Sequence, residues 1–363
     1  MKKLLVVVGA RPNFMKVTRF AQVAQQRGSF HVQLLHTGQH TDDRMSTVFF
    51  EQFGMRPGVT LSPTPAMGTA RIGHLMIALD EHLMRDRPHA VVVVGDVDST
   101  LAAAIAAKRA GLPLVHVEAG LRNGDRSMPE ELNRVLTDRI ADHCFTTEAS
   151  ANTNLLREGV LPERIHFVGN TMIDTLVACD ERISRNDRLQ RMGLGKRSYA
   201  LVTMHRPVNV DDPERLRTVV GMVQSLAQQL PVVFPVHPRT RSALQRSGLY
   251  DRVMALDGLH AVPPMDYIDF QEVLANSRFV LTDSGGVQEE TTFRGIPCLT
   301  LRESTERPVT VEVGTNRLVD FEMAALRAAV ERVMLGGSVV GAVPEKWDGR
   351  ATERIFDVLE RVL

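Results

Sequence analysis

"LVHVEAGLRNGDRSMPEELNR", residues 114–134, has the pattern of a strand, a loop and the start of a helix. The apolar run Leu114–Val117 predicts a buried β-strand, and this strand ends in Glu118. Glycines and an aspartate follow, and Pro129 is typical of the first turn of a helix that includes Arg134. Packing does not explain a carboxylate at the end of a buried strand. Ligands of parallel α/β sheets bind outside the carboxyl ends of the strands, so Glu118 indicates a functional site.

The same strand–loop–helix pattern repeats along the chain. Apolar runs recur in "LLVVVG", "AVVVVGD" and "IHFVGN", and the pattern restarts after a polar stretch with "YALVTMH", "RFVLTDSGG" and "IPCLTLRES". Continuous apolar strands that alternate with helices predict parallel sheets covered on both faces. We expect an α/β protein with two Rossmann-like domains facing a cleft, residues 1–170 and 171–345. A C-terminal helix at about 346–363 is expected to pack back on the first domain.

Composition excludes several classes of protein. Among 363 residues, 43 basic side chains balance 43 acidic ones, which argues against a nucleic-acid or membrane-surface partner. No apolar stretch reaches membrane-spanning length, and the first apolar run is short enough to be a strand rather than a signal peptide. The three cysteines form no CxxC pair, which favours a reducing compartment. We therefore expect a cytoplasmic protein.

The ends of two further strands in the first half carry charged residues. "GARPNFMK" brings Arg11 and Lys16 to a helix start, where they suit an anion. It is not GxGxxG, and "HTGQH" supplies no acidic residue for a ribose, so a nicotinamide cofactor is not expected. "GDVDST" has two interpretations. It is a metal–nucleotide DxD motif, or Asp96 is functional and Asp98 or Ser99 caps the next helix.

The helix of the opening stretch is predicted to have two faces. Ser127 is a candidate cap, and the apolar face contains Leu132 and Leu136. Glu130 and Arg134 lie one turn apart on another face, where they form either a solvated ion pair or a pair that orients a carboxylate.

In the second half, "DSGGVQEE" is the strongest local motif. Two glycines and Ser284 at a helix start let backbone N–H groups approach a phosphate. Glu290, one turn into the helix, suits the hydroxyls of a ribose, and Arg302 and Arg307 follow in "LRESTERP". These parts together fit a diphosphate-linked nucleotide. His205 in "MHRP" is weak evidence alone, because a lone histidine is more often structural.

Together, "GARPNFMK", "TGQH", "HVEAGLR", "PEELNR", "VGNTMIDTL", "DSGGVQEE" and "TERP" resemble the non-hydrolysing UDP-N-acetylglucosamine 2-epimerases. The resemblance implies a glycosyltransferase-B fold, no cofactor, no metal and a homodimer. It also implies reversible conversion of UDP-GlcNAc to UDP-ManNAc, by anti elimination of UDP to 2-acetamidoglucal and re-addition, which supplies ManNAc units for surface polysaccharides.

Residue by residue, the resemblance assigns three groups of side chains. The catalytic group would be Asp96, Glu118, Glu130, Arg134 and His205. The UDP contacts would be Arg11, Lys16, Met265, Phe270, Ser284, Gly285, Gly286, Glu290 and Arg307. Gln39 and His40 are a candidate allosteric site for a second UDP-GlcNAc.

Other functions remain open at this point. The substrate is alternatively a modified UDP-HexNAc, such as a diacetamido uronic acid, because nothing in the sequence defines sugar carbons 3 and 6. A glycosyltransferase would use the same fold with "DVD" as its metal motif, and fold does not separate the two. Asp98 departs from the family pattern, which has a threonine run there. A hydrolysing relative and a nucleotide-sugar sensor rank lower.

Overall fold

The computed structural model describes residues 1–9, 11–38, 50–62, 67–336 and 341–363. It divides into two units: unit 1 is Met1–Ala178 with Glu345–Leu363, and unit 2 is Cys179–Pro344. Across the described ranges, no helix is long and apolar enough to cross a membrane.

Unit 1 contains a parallel sheet of seven described strands in the order β3-β2-β1-β4-β5-β6-β7. The strands are β1 (Lys2–Val8), β2 (Phe30–His36), β3 (Val59–Thr60), β4 (Ala90–Val94), β5 (Leu114–Ala119), β6 (His143–Thr146) and β7 (Ile165–Phe167). The helices are α1 (Arg11–Met15), α2 (Phe20–Arg27), α3 (Gly68–Arg85), α4 (Asp98–Arg109), α5 (Pro129–Ile140), α6 (Ala149–Arg157), α7 (Thr171–Ser184), which continues into unit 2, and α17 (Ala351–Val362). A short 3₁₀ turn covers Pro162–Arg164.

The central strands β4 and β5 are buried along their whole length, as their apolar runs predict. Helix α4 packs against both α3 and α5, and its alanine-rich surface lets the three helices approach closely. This arrangement brings the residues after β4 close to α5.

The C-terminal helix α17 belongs to unit 1 and packs on α2. The ring of Phe356 lies 5.7 Å from that of Phe20 and 5.8 Å from that of Phe30. Buried Asp174 accepts hydrogen bonds from the backbone N–H groups of Ala351 and Thr352 and so caps this helix from another element.

The boundary between the units differs from the expected residue 170. It lies between Ala178 and Cys179, inside helix α7. The first turns of α7 stay with unit 1 because Thr175 donates a hydrogen bond to the Met15 carbonyl at 2.5 Å and Asp174 caps α17. The motif "VGNTMIDTL", residues 168–176, is therefore part of the first unit.

Unit 2 contains a second parallel sheet, with six described strands in the order β10-β9-β8-β11-β12-β13. The strands are β8 (Ala200–Thr203), β9 (Val232–Pro235), β10 (Leu259–Val262), β11 (Phe279–Thr282), β12 (Cys298–Leu301) and β13 (Asn316–Val319). The helices are α8 (Arg188–Arg191), α9 (Pro207–Val210), α10 (Pro213–Ala227), α11 (Pro238–Arg246), α12 (Tyr250–Met254), α13 (Tyr267–Asn276), α14 (Gly285–Arg294), α15 (Val309–Glu312) and α16 (Met323–Met334). The predicted α/β class with two Rossmann-like units is confirmed.

Candidate active site

A β-bulge at Glu118 explains how a buried strand presents a carboxylate near its end. The pairing of β5 with β6 shifts register between Val117 and Ala119, and Glu118 lies at the shift. Its φ is 69°, a left-handed conformation that is uncommon for a residue with a side chain. Such strain costs of order 1–3 kcal/mol and persists where the surroundings hold it, often at functional sites. The bulge re-aims a carboxylate that a regular strand would direct elsewhere.

Lys16 neutralises Glu118. The Lys16 ammonium forms an ion pair with the Glu118 carboxylate, and the two side chains are only 6% and 4% exposed. Gly95, at φ 67°, leaves room for this pair, because a Cβ there would lie 3.1 Å from the Lys16 Nζ. The structure therefore pairs Lys16 with a carboxylate, whereas the resemblance assigns Lys16 to the binding of UDP.

A second ion pair holds Asp96, the residue after Gly95. The Arg134 guanidinium bonds to the Asp96 carboxylate, and its other nitrogen lies 3.1 Å from Glu131 Oε2. Asn133 donates to the Asp96 backbone carbonyl at 3.0 Å. Arg134 is buried, and its two acidic partners compensate the cost of burying its charge.

The expected pairing of Glu130 with Arg134 is wrong, because Arg134 pairs with Asp96 and Glu131. Glu130 is exposed in the first turn of α5. Sequence reasoning missed Glu131, which also accepts the backbone N–H groups of Asn123 and Gly124 and so ties the preceding loop to the helix. Its position one residue after Glu130 gave no local signal for this role.

Helix α5 has the opposite orientation to the prediction. Its polar face is buried, through residues that include Asn133 and Arg134, while Leu132 is 50% and Leu136 is 43% exposed. The buried face is polar because Asp96 needs partners there. The predicted cap is also wrong: the helix starts after Met128 without a side-chain cap, and Ser127 donates to Asp125 instead.

The "GDVDST" stretch does not contain the predicted side-chain cap either. Val97 is the N-cap, and it is followed by Asp98 as the first residue of α4 and by buried Ser99. Asp98 lies 3.5 Å from Arg71 on α3 and 3.3 Å from the side-chain amide of Asn133 on α5. It therefore joins α4 to its two neighbours. Within the described ranges, no cluster of three or more His, Cys, Asp or Glu side chains is placed to hold a metal ion.

In unit 2, Asp283 organises the turn after β8. This fully buried carboxylate accepts the backbone N–H groups of His205 and Arg206, the Asn209 amide at 3.0 Å and the His205 ring Nδ1 at 3.1 Å. Burial raises the pKa of Asp283, but these hydrogen bonds and the charge of His205 outweigh burial, so the pKa lies below its usual value. Asp283 orients His205, whose side chain is 38% exposed.

Helix α14 begins at the predicted glycine pair. Ser284 is its N-cap and makes no side-chain cap bond, and a Cβ on Gly285 would lie 2.7 Å from an Arg307 guanidinium nitrogen. Arg307 bonds to Glu289 at 2.9 Å and to Glu306, and Glu306 also binds Arg302 at 2.7 Å. Gly286 is half-buried beside them. The start of the helix is therefore tightly packed against arginine side chains.

Three of the other predicted nucleotide contacts lie on unit 2. Met265 is buried and packs in one core cluster with half-buried Phe270. Glu290 is buried on α14. Arg11 begins α1, but its side chain, like Gln39 and His40, lies outside the described residues.

The site and the fold together define an α/β enzyme of two Rossmann-like units. One parallel sheet has ion pairs after its strands, and the other has a helix start packed against arginine side chains after one of its strands. Acinetobacter baumannii MurG shares this fold, with a TM-score of 0.59 at 11% identity over 100% of both chains. The family is more specific. The chain belongs to the UDP-N-acetylglucosamine 2-epimerase family, whose model matches residues 22–360.

Two relatives show how close the match is. The UDP-N-acetylglucosamine 2-epimerase of Methanocaldococcus jannaschii is 35% identical over 363 residues, 98% of each chain. Its crystal structure in complex with UDP-GlcNAc and UDP has a TM-score of 0.92 and covers 99% of both chains. The UDP-2,3-diacetamido-2,3-dideoxy-D-glucuronate 2-epimerase of Pseudomonas aeruginosa is 36% identical over 367 residues, 99% of this chain and 100% of the relative.

Proposed function

We propose that this protein interconverts UDP-GlcNAc and UDP-ManNAc by inverting sugar carbon 2. The observation that carries the proposal is the presence of two ion pairs after adjacent strands of unit 1, the buried pair Lys16–Glu118 and the partly buried pair Arg134–Asp96. Epimerisation needs proton transfer on two faces of one carbon, and two separately held carboxylates provide two such groups. The substrates named for the relatives support the choice of UDP-GlcNAc.

The proposed reaction is balanced without any other reactant. One carboxylate removes the proton from carbon 2 while the bond from carbon 1 to the UDP oxygen breaks, and a carbon 1–carbon 2 double bond forms. The intermediate is 2-acetamidoglucal. The first carboxylate releases its proton to solvent, and the other group takes one up from solvent. The UDP oxygen then bonds to carbon 1 again as this second group delivers its proton to the opposite face of carbon 2. Glu130, exposed at the start of α5, is the third carboxylate assigned to proton transfer.

Unit 2 would hold the nucleotide. The N–H groups at the start of α14, with Ser284, Gly285 and Gly286, suit the diphosphate, and its charge would be balanced by Arg307. His205, oriented by Asp283, would meet the departing phosphate.

The remaining contacts of the nucleotide are carried over from the family. Glu290 would bind the ribose, Met265 and Phe270 the uracil, and Arg11 a phosphate. Lys16 is better supported as the counter-ion of Glu118 than as a UDP contact, because its ammonium is already paired in a buried position.

The experiment is proton NMR of UDP-GlcNAc with the purified protein in deuterated water, without metal or acceptor. We expect UDP-ManNAc with deuterium at carbon 2, and Glu118→Gln should abolish both the exchange and the product. Free ManNAc and UDP would contradict the proposal in favour of hydrolysis. If UDP-GlcNAc stays unchanged while the UDP-diacetamido uronic acid is epimerised, the reaction stands and the substrate is wrong.

A homodimer completes the proposal. Helices α5 and α3, both packed on α4, expose Leu132, Leu136, Ile77 and Met84, which are 50, 43, 61 and 71% exposed. Apolar side chains on neighbouring helices favour burial against a second copy. Sedimentation equilibrium should show a dimer that Leu132→Lys with Leu136→Lys dissociates, while Leu335→Lys, at an 81% exposed position in unit 2, leaves it intact. A monomeric wild-type protein would refute this part.

A cytoplasmic location is also part of the proposal. All three cysteines are buried thiols, which suits a reducing compartment.

A further inference from the structure

His116, two residues before Glu118 in β5, is a fully buried histidine that bonds through both ring nitrogens. Its Nδ1 lies 2.6 Å from an Asp138 carboxylate oxygen, and its Nε2 lies 2.8 Å from the Gly95 carbonyl oxygen. A carbonyl oxygen only accepts, so Nε2 carries a proton. An ionised carboxylate also only accepts, so Nδ1 carries the second proton. The ring is then an imidazolium inside the core of unit 1.

Asp138 has the surroundings of an ionised carboxylate. Burial raises its pKa, but the charges and hydrogen bonds of His116 and Arg122 outweigh burial, so the pKa lies below its usual value. Its second oxygen accepts the Gly120 N–H at 3.0 Å and lies 2.7 Å from an Arg122 nitrogen. The hydrogen bonds and charges around Asp138 therefore favour its charged form, against the effect of burial.

Through these bonds, Asp138 holds the chain on both sides of the bulge. His116 precedes Glu118 by two residues and Gly120 follows it by two, and both bond to the same carboxylate. The left-handed conformation of Glu118 needs such support, because its strain would otherwise relax. Gly120 also approaches the Ala151 carbonyl so closely that a Cβ there would lie 2.5 Å from it.

The same ring also bonds to the backbone next to Asp96, the other proposed catalytic carboxylate. The Gly95 carbonyl that His116 binds belongs to the peptide that leads into Asp96. Asp138 lies one helical turn after Arg134, whose guanidinium holds the Asp96 carboxylate. One buried pair on β5 and α5 thus bonds to the backbone beside Asp96 and to the Gly120 backbone after Glu118, while His116 itself belongs to the strand before Glu118.

We infer that His116 and Asp138 form a positioning pair that sets the relative placement of the Asp96 and Glu118 carboxylates for proton transfer at carbon 2. The inference rests on the proposed epimerase function. Neither residue would touch substrate. Misplacement of reacting groups by about 1 Å costs about 100-fold in rate, and this is the loss we expect when the pair is broken. Substrate affinity should change little.

The test compares Asp138→Asn with Asp174→Asn. An asparagine at 138 keeps the shape but has one acceptor oxygen, so it cannot accept from His116 and Gly120 together. Asp174 is the matched control, a buried carboxylate of unit 1 that accepts two backbone N–H groups far along the chain from β5. We expect kcat for carbon 2 epimerisation to fall about 100-fold in Asp138→Asn with KM retained. In Asp174→Asn, kcat should stay at the wild-type value.

Fluorescence of the single tryptophan, Trp347, buried in unit 1, reports whether each variant is folded. If Asp138→Asn does not fold, the kinetics of His116→Gln provide the test. The single side-chain nitrogen of glutamine cannot replace both ring nitrogens, so it donates to the Asp138 carboxylate or to the Gly95 carbonyl but not to both. Nitrogen-15 NMR of histidine-labelled wild-type protein adds a readout that needs no variant. We expect His116 to show a proton on each ring nitrogen.

Three results would overturn the inference while the proposed function stands. They are a neutral His116 ring in the wild type, a folded Asp138→Asn or His116→Gln with wild-type kcat, and equal loss of kcat in Asp138→Asn and Asp174→Asn. A wild-type protein that exchanges no deuterium into any UDP-sugar substrate would overturn the proposed function and this inference with it.

Discussion

The buried ion pair between Lys16 and Glu118 allows a sharp test of how unit 1 holds its carboxylate. We consider Lys16→Met, which keeps the length of the side chain and removes its charge. The two side chains are 6% and 4% exposed, so water cannot replace the lost ammonium. Removing one partner of a buried pair leaves an uncompensated charge and costs about 3–5 kcal/mol. Glu118→Gln, which leaves the ammonium unpaired, should cost a similar amount.

The double variant separates this explanation from ordinary packing loss. With both charges removed, no buried charge remains, and such replacements are often close to neutral. We therefore expect Lys16→Met with Glu118→Gln to be much more stable than the sum of the single changes predicts. The coupling should be about 3 kcal/mol, at the upper end for contacting residues.

Urea unfolding followed by tryptophan fluorescence is the assay. Trp347 is the only tryptophan, is 1% exposed and donates to the Thr147 carbonyl at 3.0 Å, so it reports on unit 1. With an m-value of about 2 kcal/mol/M, Lys16→Met should lower the midpoint by about 1.5–2.5 M. Lys108→Met is the matched control. Its partner Asp142 lies 2.8 Å away, but the two side chains are 36% and 37% exposed. An exposed pair contributes less than about 1 kcal/mol.

The reasoning fails if the Lys16→Met midpoint equals that of Lys108→Met. It also fails if the effects of Lys16→Met and Glu118→Gln are additive, because then the two charges do not compensate each other.

Three further predictions concern pH and backbone geometry. The lowered pKa of Asp283 contributes stability above the ordinary aspartate pKa, near 4, and that contribution is lost as pH falls through the folded value. Asp283→Asn should therefore lower the melting temperature at pH 7, and its melting temperature should fall less steeply with decreasing pH than that of the wild type. A wild-type dependence of the melting temperature on acidic pH would contradict this. Burial, with the charges of neighbouring groups, lowers the pKa of His166 from 6.5 to about 4. The neutral ring stabilises the fold above pH 6.5, and this stability is lost as pH falls towards 4, so His166→Phe should flatten calorimetric melting temperatures across that window. Gly169 has φ 95°, and a methyl group there would collide with the Lys346 carbonyl oxygen. Gly169→Ala should destabilise unit 1 by at least about 1–3 kcal/mol in urea unfolding followed by tryptophan fluorescence, and a wild-type midpoint would refute it.

Part of the site was predictable because strand ends are visible in a sequence. Apolar runs end before Asp96, at Glu118 and before Asp283, and in the structure each of these residues follows or ends a buried strand. The glycine pair of "DSGG" also begins a helix as predicted. In each case the signal lies within a few residues of the feature, so no knowledge of distant partners is needed.

Helix α5 shows where such reasoning stops. Its pattern correctly predicts an amphipathic helix, but the face with Leu132 and Leu136 is the exposed one. Periodicity shows that two faces differ and does not show what each face meets. The buried face is decided by Asp96, which comes from another element and requires the Arg134 guanidinium. The same limit explains why Asp138 was missed, since its partners lie on β5 and in the loop after it.

Local order along the chain was sufficient for the α/β class, the two parallel sheets and the strand ends that carry charge, because hydrophobic periodicity arises between near neighbours. The left-handed bend at Glu118, its ion pair with Lys16 and the imidazolium pairing of His116 with Asp138 depend on residues that meet only after the sheet has formed. Their energies come from burial and charge compensation, which exist only when distant groups lie within a few ångströms of each other.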